Sequence, residues 1–372
     1  MKGKRVVLAG FYPPPFAGEP VHVMQLAQLL RDHGLSVQIL NLNRQATPSQ
    51  DYRHSGSRLG LLWGLLTLAD RTSILHLHTN GHSRKSWLMI LVASLAGRFR
   101  GVTAVLTLHS GLLPGYVAGF GTVKRRLARW ILMPFTRIIC VNPEICRSVK
   151  AVGIAGAQTA VIPAFLGVPG APELSPQDRT LSEGFRPLLV AVAGGEEDPE
   201  RGLAVVLRAV QQLVPIHPRL GAILMGWQVG PKTRPLIGEL GLAAHAVCLG
   251  EVSHDRCLAL LRASDVMVRS TFVDGDAITV REALAFGVPV VASDTDFRPE
   301  GVTLFRRGDV SDLTAKLSQV LEQPTRRDSS RRPASDHSAI WQLYAELPGA
   351  EDPAGRARPA SAPPRGVDLR PR

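Results

Sequence analysis

The segment STFVDGDAITVREALAFGVPVVASD, residues 270–294, leads from a polar loop through a helix into an apolar strand. Asp274, Gly275 and Asp276 form the loop, and the apolar spacing from Ile278 to Phe286 predicts the helix. The proline-containing apolar run from Val288 to Ala292 then predicts a buried strand. A helix that leads directly into such a strand is typical of parallel sheets covered by helices on both faces.

The residue types around this helix start suit a phosphorylated sugar ligand. The first turn of a helix presents unpaired N–H groups and a positive dipole end, which favour phosphate, and Gly275 lets a ligand approach the backbone closely. Asp274 and Glu282 are separated by seven residues, so both carboxylates can face one ligand and accept hydrogen bonds from sugar hydroxyls. Asp276 fits this site, and it fits equally well as the N-cap of the helix.

Alternating apolar runs and helical periodicity along the chain predict two doubly wound α/β domains. A segment rich in Pro, Gly and Ser, residues 166–187, is typical of a linker between them. The domains are then residues 1–165 and 188–325, followed by a linker and C-terminal helix in 326–347 and a disordered tail in 348–372. Ligands of such sheets bind at the carboxyl ends of the strands, so two facing domains enclose a cleft. The predicted strands run from Arg5 to Ala9, Val37 to Leu40, Ile74 to His78, Ala104 to Leu108, Ile138 to Val141, Leu188 to Ala193, Ala222 to Met225, Val247 to Leu249, Val266 to Arg269 and Val288 to Ala292.

Composition limits the class of protein. The 372 residues are 45% hydrophobic with 35 glycines, as expected for an α/β protein of two domains. The apolar clusters from Leu59 to Ala69 and from Trp87 to Gly97 are shorter than the roughly 18–20 residues that cross a bilayer, so they predict buried helices. The first residues, MKGKRVVLAGFYPPP, do not fit a signal peptide, and the four cysteines lack CxxC spacing. Both observations favour a cytoplasmic protein with reduced thiols.

The formal net charge of +12 predicts an anionic partner. Residues 98–150 hold nine Lys or Arg and one acidic residue. In residues 120–137, FGTVKRRLARWILMPFTR, basic and apolar residues form an amphipathic helical pattern that suits an anionic membrane surface. A solvated charged face is the alternative interpretation, and the lack of a recognisable binding motif disfavours nucleic acid. The predicted membrane-surface residues are Lys124, Arg125, Arg126, Arg129 and Trp130.

Several further motifs occur in a fixed order along the chain. They are Tyr12-Pro13-Pro14 with Gly18, Leu75-His76-Leu77-His78, Thr107-Leu108-His109-Ser110-Gly111, Val161-Ile162-Pro163, Arg201-Gly202, and Glu282-Ala283-Leu284-Ala285 followed by Gly287 and Pro289-Val290-Val291-Ala292-Ser293. Together, over roughly residues 4–347, they resemble the retaining glycosyltransferases of family four, which have the GT-B fold. Asp274 stands where that family has the first glutamate of its acidic pair. In this respect the chain resembles exopolysaccharide relatives, in which aspartate is normal at this position.

The resemblance implies transfer of a sugar from a nucleoside diphosphate, with a role for each matching residue. Glu282 would hold the ribose of the donor, and Asp274 would contact hydroxyls of the transferred sugar. Arg201 and the backbone N–H groups of Gly275, Asp276 and Ala277 would stabilise the departing diphosphate. His109 would lie near the reacting carbon. Enzymes of this family and fold usually need no metal, so we expect no cofactor. On the acceptor side we expect Gly18, Glu19, His22 and His78, although Glu19 and His22 also fit a structural role at a helix start.

One departure from the family concerns the diphosphate. Where the family commonly has an arginine six residues before the glycine of Lys-Gly, this chain has Glu196, which cannot bind a diphosphate. Either another cation compensates, with Arg269 at a predicted strand end as the candidate, or the donor binds weakly.

Other functions remain open at this stage. His76, His78 and His82 have a spacing that suits zinc and a metal hydrolase, although a structural histidine pair is the commoner explanation. A catalytically weak homologue that acts as a scaffold, or a nucleotide-sugar epimerase, would share the fold. We predict a transferase that acts on a polysaccharide or its lipid carrier, cytoplasmic or peripheral on the inner face of the plasma membrane.

Overall fold

The computed structural model describes residues 5–43, 45–55, 58–68, 73–168, 170, 172–194, 198–323 and 337–347. Three sequence-based expectations, Glu196, the segment 326–336 and the tail 348–372, lie outside the described residues. The predicted fold class, two α/β domains of parallel strands, is confirmed.

The first domain is built on a parallel sheet. Its strands are β1 (Arg5–Gly10), β2 (Ser36–Asn41), β3 (Arg53–His54), β4 (Ile74–Thr79), β5 (Thr103–Leu108), β6 (Arg137–Cys140) and β7 (Thr159–Val161). Its helices are α1 (Gly18–Asp32), α2 (Arg58–Leu68), α3 (Arg84–Arg100), α4 (Leu113–Ala118), α5 (Thr122–Leu132) and α6 (Pro143–Ala151). Within the described residues the strand order is β3-β2-β1-β4-β5-β6-β7. The order changes direction between β1 and β4, and crevices at such switch points bind ligands.

The second domain repeats this architecture. Its helices and strands are α7 (Pro176–Glu183), β8 (Leu188–Ala193), α8 (Pro199–Leu213), β9 (Gly221–Gly226), α9 (Thr233–Glu239), β10 (Ala246–Gly250), α10 (His254–Ala263), β11 (Val266–Arg269), α11 (Ile278–Ala285), β12 (Val290–Ser293), β13 (Val302–Phe305) and α12 (Val310–Glu322), with α13 (Ser338–Glu346) after a gap in the description. The strand order among the described residues is β10-β9-β8-β11-β12-β13, again parallel.

Each face of the first sheet has its own apolar core. Val7 and Ala9 of β1 pack in the core that α2, α3, α5 and α6 cover, whereas Val6 and Leu8 pack with α1 and α13. This division follows from the strand period of two, which sends successive side chains to opposite faces. The last described helix therefore returns to the first domain, where Tyr344 is fully buried.

The structure corrects the predicted linker. Residues 176–183 form α7, whose Asp178 is buried and ion-paired with Arg256 of α10 at 2.7 Å. Helix α7 therefore packs as part of the second domain. The pattern analysis also missed β3, β7 and β13, because each has at most four residues and lies near a sheet edge. Among the described helices, none combines the length and apolar character that crossing a bilayer requires.

Candidate active site at the domain interface

The loop between β11 and α11, residues 270–277, lies against the strand ends of the first domain. Asn142 Nδ2 donates a hydrogen bond to the carbonyl of Gly275 at 2.7 Å. The backbone N–H of Ala164 donates to Asp276 Oδ2 at 2.9 Å. The carboxyl ends of both sheets therefore meet here, which is where ligands of parallel sheets bind.

Two glycines permit this close approach. A Cβ atom at Gly111 would overlap the backbone carbonyl of Asp274, and a Cβ atom at Gly275 would overlap the carbonyl of His109. The sequence predicted that Gly275 lets a ligand approach its backbone. In the structure, the group that approaches it is the carbonyl of His109, which belongs to the first domain.

Asp274 lies between two buried guanidinium groups. Its Oδ2 accepts hydrogen bonds from Arg269 Nε at 2.9 Å, Arg298 Nη1 at 2.8 Å and Thr271 Oγ1 at 3.1 Å, and its Oδ1 accepts from Arg269 Nη2 at 3.2 Å. Burial acts to raise the pKa of Asp274, but the attraction of Arg269 and Arg298 outweighs it and holds the pKa well below the ordinary value. The carboxylate is therefore ionised, and the three charges sum to one excess positive charge.

Arg269, the expected replacement cation, has a structural role in the loop. Besides Asp274, its guanidinium donates to the carbonyls of Val192 at 3.1 Å and Gly194 at 3.0 Å, at the end of β8. Four of its five N–H groups are used in these contacts, counted from the donor inventory of arginine. Arg269 thus fixes the loop to the sheet, and its charge remains part of the net positive charge of the cluster.

Asp276 is not the N-cap of α11. Ala277 has that position and makes no side-chain cap. The carboxylate of Asp276 is fully buried and pairs with Arg281 Nε at 2.7 Å, in addition to its bond from Ala164. Burial raises the pKa of Asp276, although Arg281 opposes that change. Asp276 therefore joins the two domains.

Glu282 is fully buried on α11. Its Oε1 lies 2.6 Å from Nε2 of His254, the first residue of α10. Its Oε2 has no hydrogen-bond partner within the described residues. A buried carboxylate oxygen without a donor carries a desolvation cost, which a hydroxyl-bearing ligand could relieve.

Arg201 lies in the first turn of α8 and reaches the 270–277 loop. Its guanidinium carbon is 3.8 Å from the ring centroid of Phe272, a cation–π contact. An adjoining pocket of about 530 Å³ is also lined by Lys232 and Arg307. Glu200 and Asp198, which pairs with Lys232 at 2.6 Å, also line it, but the basic residues outnumber the acidic ones and the pocket suits an anionic group.

Glu200 shapes the wall of this pocket. Its buried carboxylate accepts hydrogen bonds from the backbone N–H groups of Gly230, Lys232 and Thr233 and from the Thr233 hydroxyl, at 2.7–3.1 Å. Burial acts to raise the pKa of Glu200, but these hydrogen bonds outweigh it and the pKa lies below its ordinary value. One carboxylate thus organises the whole loop between β9 and α9.

Histidines crowd the carboxyl end of the first sheet, but not in the set that spacing suggested. His76 has both ring nitrogens hydrogen-bonded, to the hydroxyls of Tyr344 and Thr107 at 2.7 Å each. The rings whose nitrogens come within 4.8 Å of one another are, among the described residues, those of His22, His78 and His109. The histidines that lie together are thus not His76, His78 and His82, the set with zinc-like spacing. They come from three different segments of the chain.

Of the predicted acceptor-side residues, His22 and His78 belong to this cluster, and Gly18 and Glu19 begin the helix that carries His22. Gly18 is the first residue of α1, and Glu19 Oε1 accepts from the backbone N–H of Phe11 at 3.3 Å. Burial raises the pKa of Glu19 to about 7. The backbone N–H of Phe16 donates to Glu251 Oε1 of the second domain at 3.0 Å. The loop before α1 therefore closes one side of the interface.

Helix α5 presents an unusual surface. Val123, Leu127, Trp130 and Met133 are 48–79% exposed and recur at helical spacing. Lys124, Arg125, Arg126 and Arg129 are exposed beside them. The predicted basic amphipathic helix is present, and its buried residues are Ala128, Ile131 and Leu132.

Sequence reasoning missed Arg298, His254 and Asn142. Each contacts the 270–277 loop or α11 from a distant part of the chain. All three follow the carboxyl end of a strand within a few residues, so a survey of polar residues after strand ends would have found them as candidates.

Comparison with known proteins agrees with the geometry. Residues 17–166 match the family model Glycosyltransferase Family 4, and residues 188–336 match Glycosyl transferases group 1. The chain is 26% identical over 362 residues to phosphatidyl-myo-inositol mannosyltransferase of Mycolicibacterium smegmatis, with 88% of this chain and 87% of that protein covered. Sucrose-phosphate synthase of Thermosynechococcus elongatus (TM-score 0.68) and HepE of Anabaena in complex with UDP and glucose (TM-score 0.67) are similar structures. Each is 18% identical and covers 92% of this chain and 98% of its own.

The two domains of parallel strands have the GT-B fold, and both match family models of glycosyltransferases. The chain belongs to glycosyltransferase family four.

Proposed function

We propose that the protein transfers a sugar from a nucleoside-diphosphate sugar to a polysaccharide or lipid-linked acceptor, with retention of anomeric configuration. The observation that carries the proposal is Glu282, a buried carboxylate held by His254 whose Oε2 lacks a partner in the described part of the chain. A ribose hydroxyl would supply the missing donor. The fold neighbour HepE in complexes with UDP and UDP-glucose supports a nucleotide-sugar donor.

Asp274 has one remaining site for the transferred sugar. Its Oδ2 accepts three hydrogen bonds, whereas Oδ1 accepts one and keeps a free lone pair. We assign that lone pair to a sugar hydroxyl. Because Arg269 and Arg298 hold the carboxylate in one orientation, the contact needs no reorganisation during transfer.

The departing diphosphate requires positive charge and N–H donors. Arg201 supplies the charge, and the backbone N–H groups of Gly275, Asp276 and Ala277 have no acceptor among the described residues. The net positive charge of the cluster of Asp274, Arg269 and Arg298 would also attract the diphosphate. In this proposal the departure of the diphosphate uses no metal ion or other cofactor, and His109 lines the cleft near the reacting carbon.

The acceptor would be presented at a membrane surface. Helix α5 combines exposed Leu127 and Trp130 with four exposed basic residues, so its apolar stripe and its charge both complement an anionic bilayer surface. The similarity to a phosphatidyl-myo-inositol mannosyltransferase supports a lipid-linked acceptor. We therefore propose association with the inner face of the plasma membrane.

Turnover with a panel of nucleoside-diphosphate sugars and membrane lipid extracts tests the activity. We expect Glu282→Gln to lower kcat/KM about 10- to 100-fold, as for one lost charge-assisted hydrogen bond. Glu239→Gln, an exposed glutamate on α9, is the matched control. The anomeric configuration of the product, measured by NMR, should equal that of the donor.

Three results would contradict the proposal. Inversion of the anomeric centre would exclude the retaining mechanism, and sugar conversion without an acceptor would indicate an epimerase. Neither transfer nor hydrolysis of any donor would favour the scaffold function.

Vesicle sedimentation tests the membrane surface separately. The double variant Leu127→Ser, Trp130→Ser should lose most of its binding to vesicles with anionic lipid, whereas Trp227→Ser, an exposed tryptophan of the second domain, should bind like the wild type. Equal binding of all three proteins, or no preference for anionic vesicles, would exclude α5 as the contact.

A further inference from the structure

The pocket of about 530 Å³ beside Arg201 extends along α8 of the second domain. Residues of α8 form one side of this α8 pocket, and the start of α9 and the loop between β13 and α12 form the others. Of the residues assigned to the donor, Arg201 lines it, whereas Asp274, Gly275 and Glu282 do not. The α8 pocket is therefore distinct from the space between Asp274 and Glu282, and its volume is typical of a small-molecule site.

The residues of α8 that line the pocket recur at helical spacing. Arg201, Ala204, Val205 and Arg208 follow the i, i+3, i+4, i+7 pattern of a single helix face. Both arginines are exposed, and a rise of 1.5 Å per residue places their backbones about 10 Å apart along the helix. The pocket therefore has a guanidinium group at each end of a short apolar floor.

The two acidic residues of the pocket already have partners. The carboxylate of Glu200 accepts hydrogen bonds from backbone N–H groups of the loop between β9 and α9 at 2.8–3.1 Å. Asp198 pairs with Lys232 at 2.6 Å. Both negative charges are thus held by groups on the α9 side of the pocket.

Three arginines of the α8 pocket have weak partners or none among the acidic side chains that the structure describes. Arg208 Nη1 donates to the carbonyl of Ala204 within its own helix at 3.3 Å. Arg307, on the loop before α12, donates through Nε to the carbonyl of Asp294 at 3.0 Å, and its ion pair with the exposed Asp296 is long, at 3.9 Å. Arg201 contacts an aromatic ring instead of a carboxylate. The guanidinium charges therefore remain available to an anionic ligand.

Phe272 connects the α8 pocket with the 270–277 loop. Its ring centroid lies 3.8 Å from the guanidinium carbon of Arg201, and a Cβ atom at Gly308 would come within 3.2 Å of the ring. Gly308 has a φ of 76°, so glycine suits both the backbone conformation and the close approach of the ring. An aromatic face beside the guanidinium group can contact the apolar part of a ligand.

We propose that the α8 pocket binds a small phosphorylated molecule with two separated phosphate groups. A guanidinium group matches a phosphate bidentately, so one phosphate would bind at Arg201 and the other at Arg208. Arg307 would add charge from the facing loop. The middle of the ligand would lie over Ala204 and Val205, and a ligand with a single phosphate would use one end of the pocket alone.

Binding can be measured without donor or acceptor, so its outcome does not depend on the proposed transferase function. The probes are fructose 1,6-bisphosphate, with two phosphates, and fructose 6-phosphate, with one. Each is titrated by calorimetry at about 50 mM salt, where screening is modest. The variants are Arg208→Gln and Arg307→Gln. Arg262→Gln is the matched control, because Arg262 is an exposed arginine of α10, on the other face of the second sheet.

We expect one bisphosphate per chain in the wild type and in Arg262→Gln, with Kd below about 1 mM. The monophosphate should bind the wild type about 10-fold more weakly, and Arg208→Gln and Arg307→Gln should each lower the affinity for the bisphosphate about 10-fold, as for one lost charge-assisted contact. Because Arg208 is not among the donor residues, its effect places the ligand in the α8 pocket.

The comparison of the two probes on the wild type decides the question even if a variant fails to fold. No saturable binding at about 10 mM bisphosphate, equal affinity for the two probes, or equal affinity of all four proteins for the bisphosphate would overturn the proposal. Bisphosphate binding in a protein that binds no nucleotide would leave this site standing and refute the transferase site.

Discussion

The substitution Asp274→Asn removes the only negative charge between Arg269 and Arg298 among the described residues. The two arginine side chains are 7% and 4% exposed. Removing one partner of a buried ion pair leaves an uncompensated charge and costs about 3–5 kcal/mol. For a domain of this size, such a loss corresponds to a decrease in Tm of about 10 °C.

The pH of the experiment follows from the pKa. Because the folded-state pKa of Asp274 lies below its unfolded value of 3.8, its contribution is complete above that value and is lost only as pH falls through the folded-state pKa. Urea unfolding at pH 7.5, followed through the transition of the second domain, therefore measures the full effect.

Three further variants make the test specific: Asp296→Asn, Arg298→Met and the double variant of Asp274 and Arg298. Asp296→Asn removes an exposed carboxylate 3.9 Å from Arg307 and should change stability by less than about 0.5 kcal/mol. The double variant Asp274→Asn, Arg298→Met should lose less free energy of unfolding than the sum of the losses in the two single variants. The difference, the coupling energy, should exceed about 1 kcal/mol. A loss below about 1 kcal/mol for Asp274→Asn, or strict additivity in the double variant, would refute the electrostatic account of this loop.

Three other predictions concern neighbouring parts of the interface. Gly275→Ala should separate the domains, because its Cβ would overlap the carbonyl of His109, and small-angle scattering should show a larger radius of gyration than for Gly238→Ala, where nothing lies within 4 Å; equal radii would contradict the close contact. Glu200→Gln should lower the urea midpoint by the equivalent of about 1–3 kcal/mol, because the hydrogen bonds that converge on Oε1 lose the charge of the carboxylate and the amide nitrogen in place of Oε2 cannot accept from the N–H of Lys232; an unchanged midpoint would show that the β9–α9 loop does not depend on this carboxylate. Burial raises the pKa of Glu19 from 4.5 to about 7, so its contribution to stability is full below pH 4.5 and falls by up to about 3 kcal/mol as pH rises through 7; Glu19→Gln should abolish this decrease in stability curves between pH 5 and 8, and a curve parallel to the wild type would exclude it.

The sequence predicted the layout of strands because parallel sheets leave a local pattern. Buried strands such as Leu188–Ala193 are uninterrupted apolar runs in the sequence. Their predicted bounds match, or nearly match, the bounds in the structure. Short edge strands such as β3, with two residues, carry no such pattern. Helix α7 was missed because its sequence, PQDRTLSE, is polar and is held by the contact of Asp178 with Arg256, 78 residues away.

The residues named for the candidate site lie together at the domain interface, but most of their contacts were not predicted. Asp274, Gly275 and Asp276 lie at the interface beside His109. The strand ends predicted a cleft, whereas the place of His109 in it was an expectation from the family resemblance. The partners of these groups could not be predicted, because Arg298 comes from the segment after β12 and Ala164 from the other domain. Spacing along one strand likewise could not predict the cluster of His22, His78 and His109, since His22 and His109 reach it only through the tertiary fold.

Calorimetric titration of nucleoside diphosphates and their sugar conjugates against the wild type, Glu282→Gln and Glu239→Gln tests the donor site most directly. At least one conjugate should bind the wild type and Glu239→Gln with equal affinity, and its affinity should fall about 10- to 100-fold in Glu282→Gln, because Oε2 then loses the charge that receives the ribose hydroxyl. If no nucleotide binds at millimolar concentration, or if all three proteins bind equally, Glu282 does not hold a donor nucleotide and the proposed transferase site is wrong.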